Sequence, residues 1–399
     1  MTKEELISHL HELLDESLES VMERERTTFD RLAGENCNEL ILYGTGKLGR
    51  RTLLGLRQLG ILPLAFCDKN SMAWGVEIEG LKVISPEEAV ETYGATATFV
   101  VTIWNDRFGH PFNEVTNDLN IWGDAKVVSF LPLYWKYPKQ FLPYFSLDLP
   151  SKIIANRENI IKSAYLIADK ESRIEFSKNI ESRLNNSLHL LSSPIDKKTQ
   201  FKNSFLKPNP EEIFIDAGAY NGDTIIELLN SPRFQFKEII AIEPDPNNFK
   251  ELSNYINNLE YELKERIHPL QFALGNQNGE ISFTGTGTEQ AHISTTGDIS
   301  IKCTRLDDLL KDKQATLIKM DIEGSEYEAI LGAAEIIDKY QPVLAISSYH
   351  EITHLWNLAL LINKLNDKYF YIYRPHSAGG WDYILYAVPQ NRLISKNLE

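Results

Sequence analysis

Ile213-Phe214-Ile215-Asp216-Ala217-Gly218-Ala219-Tyr220-Asn221-Gly222-Asp223-Thr224 is the stretch whose reading decides the fold. An apolar run enters a turn with two glycines, and Ile225-Ile226-Glu227-Leu228-Leu229 continues as a helix. The pattern is strand, turn, helix. Gly218 and Gly222 let the backbone turn tightly and approach a ligand closely. The helix start leaves N–H groups free, and such a corner at the carboxyl edge of a parallel sheet cradles nucleotides. Charge narrows the ligand class. Asp216 and Asp223 flank the turn and would repel a pyrophosphate. A cationic ligand suits them, and S-adenosylmethionine carries both a sulfonium and an ammonium. The alternative at this point is an ordinary structural corner.

Downstream of Glu211, strand and helix patterns alternate, the mark of a parallel sheet. The second strand, Glu238 to Ile242, ends in Glu243-Pro244-Asp245-Pro246, and Asn247 to Leu259 is the next helix. A third strand, Arg266 to Phe272, leads to Ala273-Leu274. Gly279 to Phe283 and Ser300 to Thr304 form an inserted hairpin around a loop rich in glycine and threonine. A fourth strand, Thr316 to Met320, ends at Asp321-Ile322-Glu323-Gly324, with Ser325 to Tyr340 as its helix. The fifth, Val343 to Ser347, ends near Tyr349-His350. Leu355 to Leu365 is a helix, and Phe370 to Tyr373 and Tyr383 to Val388 are late strands that pair antiparallel.

Ligands bind at the carboxyl ends of such strands, and those ends carry Asp216, Glu243, Ala273 with Leu274, Asp321 with Glu323, and His350. Glu243 is placed to accept both hydroxyls of an adenosine ribose, since a carboxylate accepts hydrogen bonds and offers no competing donor. Ala273 and Leu274 are expected to give adenine an apolar wall and a backbone N–H. Asp216 and Asp223 face the cationic end of the donor, with Gly218, Ala219, Tyr220, Asn221, Gly222, Thr224 and Pro244 completing the binding turn. A hydroxyl acceptor needs a base within hydrogen-bond reach. His350 is the first candidate because histidine titrates near neutrality; Glu323 and Asp321 follow. If the strand continued, Asp321 and Glu323 would alternate in direction and one alone would face the pocket. Asp321 with a neighbouring acid would also suit Mg2+. His292 would reach the acceptor from a lid, and His376 reads as structural.

The first half carries a second turn. Glu39 to Tyr43 reads as a strand, Gly44-Thr45-Gly46-Lys47-Leu48-Gly49 as a glycine turn, Arg50 to Leu59 as helix, Ile61 to Phe66 as a strand closed by Cys67-Asp68, and Ala97 to Ile103 as another strand. This is a G-x-G-x-x-G turn in strand–helix context with an acid about 20 residues on. Asp68 would hold ribose hydroxyls of a second nucleotide beside Gly44, Gly46 and Gly49, or the unit holds no cofactor and serves assembly or docking. Before it, Leu6, Leu10, Leu13, Leu14, Leu18 and Val21 share one helical face, expected to pack on the next unit or on a second subunit. After it, prolines punctuate an aromatic stretch with Tyr134, Trp135, Tyr137, Phe141, Tyr144 and Phe145, an ordered connector whose aromatics read as core. Ile153 to Leu184 is one or two helices, and the polar run 185–210 is the boundary. The expected division is an N-terminal helix over residues 1–35, a small Rossmann-like α/β domain over 36–130, a helical connector over 131–208 and a larger α/β domain over 209–399.

Composition excludes several partners. A formal net charge of -15 argues against nucleic acid, and no stretch is long and apolar enough to span a bilayer. Cys37, Cys67 and Cys303 match no zinc or disulfide spacing, which points to a reducing cytoplasm. A homo-oligomer is compatible with these features.

Asp216-Ala-Gly-Ala-Tyr-Asn-Gly-Asp-Thr, Ile242-Glu-Pro-Asp-Pro-Asn-Asn, Lys319-Met-Asp-Ile-Glu-Gly-Ser-Glu and the ending Arg374-Pro-His-Ser with Leu385-Tyr-Ala-Val resemble the FkbM family of S-adenosylmethionine-dependent methyltransferases. The resemblance covers residues 209–399. It implies a class I methyltransferase fold with a seven-stranded sheet, and O-methylation of sugars or small natural products, as in polysaccharide biosynthesis. The family's usual first motif is Asp-Val-Gly-Ala-Asn; here Tyr220 precedes Asn221 and shifts the amide. The first half is similar to small Rossmann-like domains joined to bacterial sugar-modifying enzymes, which implies nucleotide or sugar-nucleotide handling. The leading expectation is an O-methyltransferase acting on a sugar, sugar nucleotide or related small molecule. Its rivals are an NAD(P)-linked sugar-nucleotide oxidoreductase working through Gly44 to Gly49, and a scaffold in which neither site turns over.

Overall fold

The structure is a computed structural model that describes residues 1–104, 111–191, 203–231, 234–284, 292–293, 299–311 and 313–394. The glycine–threonine loop around residues 285–291 and 294–298, and 192–202 of the expected boundary, lie outside the described residues.

The second half is built on a seven-stranded sheet. In spatial order its strands are Tyr369–Pro375, Tyr383–Pro389, Val343–Ser347, Leu317–Met320, Glu212–Ala217, Phe236–Ile242 and Ile267–Leu270. All neighbours are parallel except Tyr383–Pro389, which runs antiparallel to both strands beside it. The chain enters at Glu212–Ala217, builds outward to one edge, then returns to Leu317–Met320 and builds to the other. The strand order therefore reverses between Glu212–Ala217 and Leu317–Met320, and ligands bind at that switch point. This strand order, with its antiparallel late strand, is the class I methyltransferase arrangement expected from the sequence.

The first half carries a six-stranded sheet in the order Glu77–Ile78, Leu81–Ile84, Ala65–Cys67, Leu40–Tyr43, Thr98–Val101, Lys126–Ser129. It is parallel apart from the edge strand Glu77–Ile78. Its first strand is again central, so this sheet also has a switch point, beside Gly44. The inserted hairpin is present: Gly279–Thr284 pairs antiparallel with Ile299–Thr304, in a small separate sheet.

Four element readings change. The N-terminal segment is two helices, Lys3–Leu13 and Leu18–Ala33. Thr2 and Glu5 form a capping box on the first, and Ser17 caps the second, so Asp15-Glu16-Ser17 is a helix start rather than a helix interior. Leu6, Leu10, Leu14 and Val21 join the core of the connector and the second sheet, with Ile160, Ala164 and Ile180. The connector region Ile153 to Leu184 holds three helices, Pro150–Ala155, Arg157–Leu166 and Lys170–Leu184. The expected helix Ser325 to Tyr340 breaks into Glu326–Leu331 and Ala334–Tyr340; at Gly332 between them a Cβ would stand 2.0 Å from the carbonyl oxygen of Gly275. The third strand ends at Leu270, and Ala273–Leu274 pairs instead with Cys303 and Thr304 in the small sheet.

The aromatic connector divides. Phe130, Tyr134, Trp135 and Phe141 are core, packed with Leu40, Leu42 and Phe66; Tyr134 and Phe141 stack at 4.3 Å. Tyr144 and Phe145 are half-buried; Tyr144 lies under the Arg51 guanidinium, 4.6 Å from its ring centroid, while Phe145 reaches His350 and Trp381 in the second half. Arg183, fully buried with no carboxylate against it among the described residues, donates to the Ser146 carbonyl and hydroxyl and to Asn179. It thereby holds the segment that presents Phe145.

Candidate active site

Strand register places the charged rim at one edge of the sheet. Asp216 pairs across the sheet with Ala241 on one side and Lys319 on the other. Residues paired in register share a face, so Asp216 and Lys319 rise from the same side, and Glu243 and Asp321 follow directly after the ends of the two neighbouring strands. Gly218 makes this edge compact. At φ +81° it takes the left-handed region, and a Cβ there would lie 1.8 Å from the Asp321 carbonyl oxygen. The two strands at the switch point can approach only because this position has no side chain. Tyr220 follows in the left-handed region at φ +47°, a conformation uncommon outside glycine.

Asp216 does not stand as a free anion. It is fully buried and paired with Lys319, whose Nζ lies 3.1 Å from Oδ1 and also donates to the Gly218 carbonyl. Burial pushes Asp216 up to about 6 against the pull of that ammonium. Burial works against the Lys319 charge, but Asp216, then Asp321 and Asp223, more than offset this and raise it. The other oxygen of Asp216 and the Asn221 side-chain oxygen are both buried and accept no hydrogen bond among the described residues. Two orphaned acceptors in one turn fit a ligand that brings donors, as the ammonium of S-adenosylmethionine would. Asp223 is exposed and its carboxylate accepts from Thr224 N at 2.7 Å.

Glu243 is nearly buried. One oxygen accepts from Tyr220 N and the other from Asp245 N, each at 2.9 Å. The carboxylate thus ties the second strand end to the glycine turn. Burial pushes it up to about 7, while those N–H groups pull the other way. The Asn248 side chain also bonds this carboxylate, and the acceptor capacity left over suits a ribose hydroxyl. Ala273 and Leu274 are each only 3% exposed, and Leu274 packs in the main core. They therefore do not offer the open adenine wall expected of them.

The catalytic candidates converge. His350 Nε2 lies 3.5 Å from Asp321 Oδ1 and 3.8 Å from Glu323 Oε2. Both acids face the histidine because the strand stops at Met320 and Glu323 takes φ +54°; strand alternation, which would have turned one of them away, no longer applies. The sequence reading missed Glu326. It is wholly buried, bonds His350 Nδ1 at 2.8 Å, accepts from Ile322 N, and lies 3.3 Å from His354 Nδ1. Burial alone would lower the His350 pKa, but Glu326 first, then Asp321 and Glu323, raise it to about 9. Burial alone would raise Glu326, and the two histidines hold it below the usual range. At neutral pH the His350 imidazole is therefore protonated and Glu326 is ionised against it. His376 is tied to Tyr386 OH at 2.8 Å, as a structural residue would be. The His292 side chain lies outside the described residues.

Above His350 stands an aromatic group drawn from both halves. Phe145 and Tyr349 lie against it, with ring centroids at 6.5 and 4.3 Å. Trp381 packs on Phe145 and Trp104, each at 4.6 Å. Trp104 follows the central region of the first sheet, and its indole donates to the Gly379 carbonyl at 3.0 Å. The carboxyl edge of the first sheet thus meets the active edge of the second.

The Gly44 turn is well formed. Gly49 permits close helix packing, since a Cβ there would lie 2.0 Å from the Gly44 carbonyl oxygen, while Gly46 faces open space. Asp68, however, is engaged by the turn itself. One oxygen accepts from Thr45 N at 2.9 Å and Thr45 Oγ1 at 2.6 Å, and the other from Asn70 N. A ribose would have to share it.

Residues 216–372 match the family model described as the methyltransferase FkbM domain. The crystal structure of an FkbM methyltransferase from Methylobacillus flagellatus KT is similar over 94% of this chain and 99% of its own, with TM-score 0.76 and 22% identity. Fibrillarin from Aeropyrum pernix, solved with S-adenosyl-L-methionine, is similar over 45% of this chain and 67% of its own, with TM-score 0.27 and 9% identity. No curated protein matches the sequence. The FkbM motifs thus fall on the glycine turn, the acidic strand ends and the switch point just described; residues 216–372 are a methyltransferase FkbM domain, and the protein that carries it is a methyltransferase.

Proposed function

We propose that the protein O-methylates a hydroxyl of a sugar, sugar nucleotide or related small molecule held between its two halves. The observation that carries this reading is the aromatic group of Trp104, Phe145, Tyr349 and Trp381 standing over His350 and its carboxylates. Ligand sites pair apolar and aromatic walls with a few convergent polar groups. A saccharide ring matches both features, with C–H faces for the aromatics and hydroxyls for Asp321 and Glu323. The donor supplies a methyl group on a positively charged sulfur. Asp216 and Asn221 hold its ammonium, and Glu243 holds its ribose. The acceptor hydroxyl sits beside Asp321 and His350; its oxygen attacks the methyl carbon, the carbon–oxygen bond forms as the carbon–sulfur bond breaks, S-adenosylhomocysteine leaves, and the hydroxyl proton passes to a carboxylate of this cluster. Alignment of acceptor with donor supplies much of the rate.

A mass-spectrometric screen of sugar nucleotides and free sugars for gain of one methyl group as an alkali-stable ether tests this. Methylation of amines or carboxylates alone would overturn it.

Glu243 gives the donor site a pH signature. Its carboxyl, lifted to about 7, is ionised above that value and protonated below it. Ribose hydroxyls donate to the ionised form, so affinity for S-adenosylhomocysteine should fall as pH drops below about 7, approaching about tenfold per unit. Glu243→Gln should bind weakly with the slope reduced. Titration calorimetry across this range checks it, and a slope as steep in the variant would remove Glu243 from the ribose.

A further inference from the structure

The group around His350 has features that proton transfer alone does not require. Asp321, Glu326 and His350 each place one ligand atom within 4.8 Å of the others. The His350 side chain is 2% exposed, yet its Nε2 makes no hydrogen bond among the described residues. Asp321 Oδ1 and Glu323 Oε2 lie 3.5 and 3.8 Å from that nitrogen. Its partner Nδ1 is held by Glu326 at 2.8 Å. Metal-binding histidines recur in this form, with one ring nitrogen on the ion and the other donating to a carboxylate that fixes tautomer and ring plane. Asp321, Glu323 and Glu326 gather around His350, with His354 against Glu326 alone, and carboxylate charge in a half-buried place is paired or coordinates a cation.

We propose that His350 Nε2, Asp321 and Glu323 bind a divalent cation, with Glu326 orienting His350 from behind. One imidazole with two carboxylates mixes a nitrogen donor that suits zinc and iron with oxygen donors that suit magnesium and manganese. The open side of the ion faces the aromatic group, where the acceptor hydroxyl is placed. A cation there lowers the pKa of a bound hydroxyl and orients it, so the oxygen reaches the donor methyl already deprotonated or nearly so. This role rests on the proposed O-methylation. The binding site itself does not.

The test is Mn2+ binding to the full chain after chelator treatment, followed by electron paramagnetic resonance, with S-adenosylhomocysteine affinity measured in parallel. A single saturable Mn2+ site is expected. Glu326→Gln should weaken it by about 10–100-fold, the usual effect of removing an outer-shell partner, and His350→Gln should abolish it. Both should leave S-adenosylhomocysteine binding within about twofold, which also reports that the donor site is folded. Should buried Glu326→Gln fail that control, Glu323→Gln, at a half-exposed position, carries the same expectation of weaker Mn2+ binding. Absence of saturable Mn2+ binding, or binding unaffected by His350→Gln and Glu323→Gln, would overturn the proposal. Methyl transfer to a hydroxyl without any ion site would sink this inference and leave the proposed function standing. An ion site in a protein that methylates no hydroxyl would do the reverse.

Discussion

Asp216→Ala is expected to abolish S-adenosylhomocysteine binding and to destabilise the fold by about 3–5 kcal/mol, the usual consequence of stranding one member of a buried ion pair. Lys319 is 5% exposed and its ammonium meets Asp216 at 3.1 Å. With the carboxylate gone, that ammonium keeps among the described residues the Gly218 carbonyl as hydrogen-bond acceptor, with the Asp321 and Asp223 charges farther off. The two effects separate in a double variant. Asp216→Ala with Lys319→Met removes both charges and should recover most of the lost stability, because replacing a buried pair with apolar groups is often neutral. It should not recover ligand binding, because the orphaned Asp216 oxygen is then missing. Denaturant unfolding and calorimetry on the wild type and both variants check this. Ligand binding restored in the double variant would show that Asp216 serves the fold and not the donor.

His350→Ala should lower turnover by about 10²–10⁴-fold, the range for losing a positioned acid–base group, with S-adenosylhomocysteine affinity unchanged. His350 lies against Asp321 and Glu323, the proposed acceptor side, while the glycine turn proposed for the donor is held by Asp216, Glu243 and Lys319. The loss also leaves Glu326 buried without its Nδ1 partner, so stability should fall too. Steady-state kinetics beside a donor titration separates these effects. A variant with normal turnover would take His350 out of the chemistry, and one that lost donor affinity in proportion would place it in the donor site.

Much of the second half was legible because a parallel sheet writes its site into the sequence. An apolar strand that ends in a charged residue marks a carboxyl edge, and Asp216, Glu243 and Asp321 were readable in that way. Lys319 carried a signal too: a lysine inside the apolar run Leu317-Ile318-Lys319-Met320 needs a buried partner. Glu326 was harder to see. It sits in the first turn of a helix, where an acid is ordinary, and only the fold turns it inward beneath His350 and His354. The misplacement of Ala273 and Leu274 has a similar cause. A short apolar pair after a strand looks like its continuation, and pairing with Cys303 depends on an inserted hairpin some distance along the chain. The meeting of Trp104, Phe145 and Trp381 had no local signature, since the three rings come from segments far apart in sequence.

The most direct measurement is calorimetric titration of the full chain with S-adenosylhomocysteine and, separately, with NADH. Saturable binding of S-adenosylhomocysteine is expected, and it should be lost in Asp216→Ala with Lys319→Met. Binding of NADH alone, or S-adenosylhomocysteine binding that survives that double variant, would contradict it.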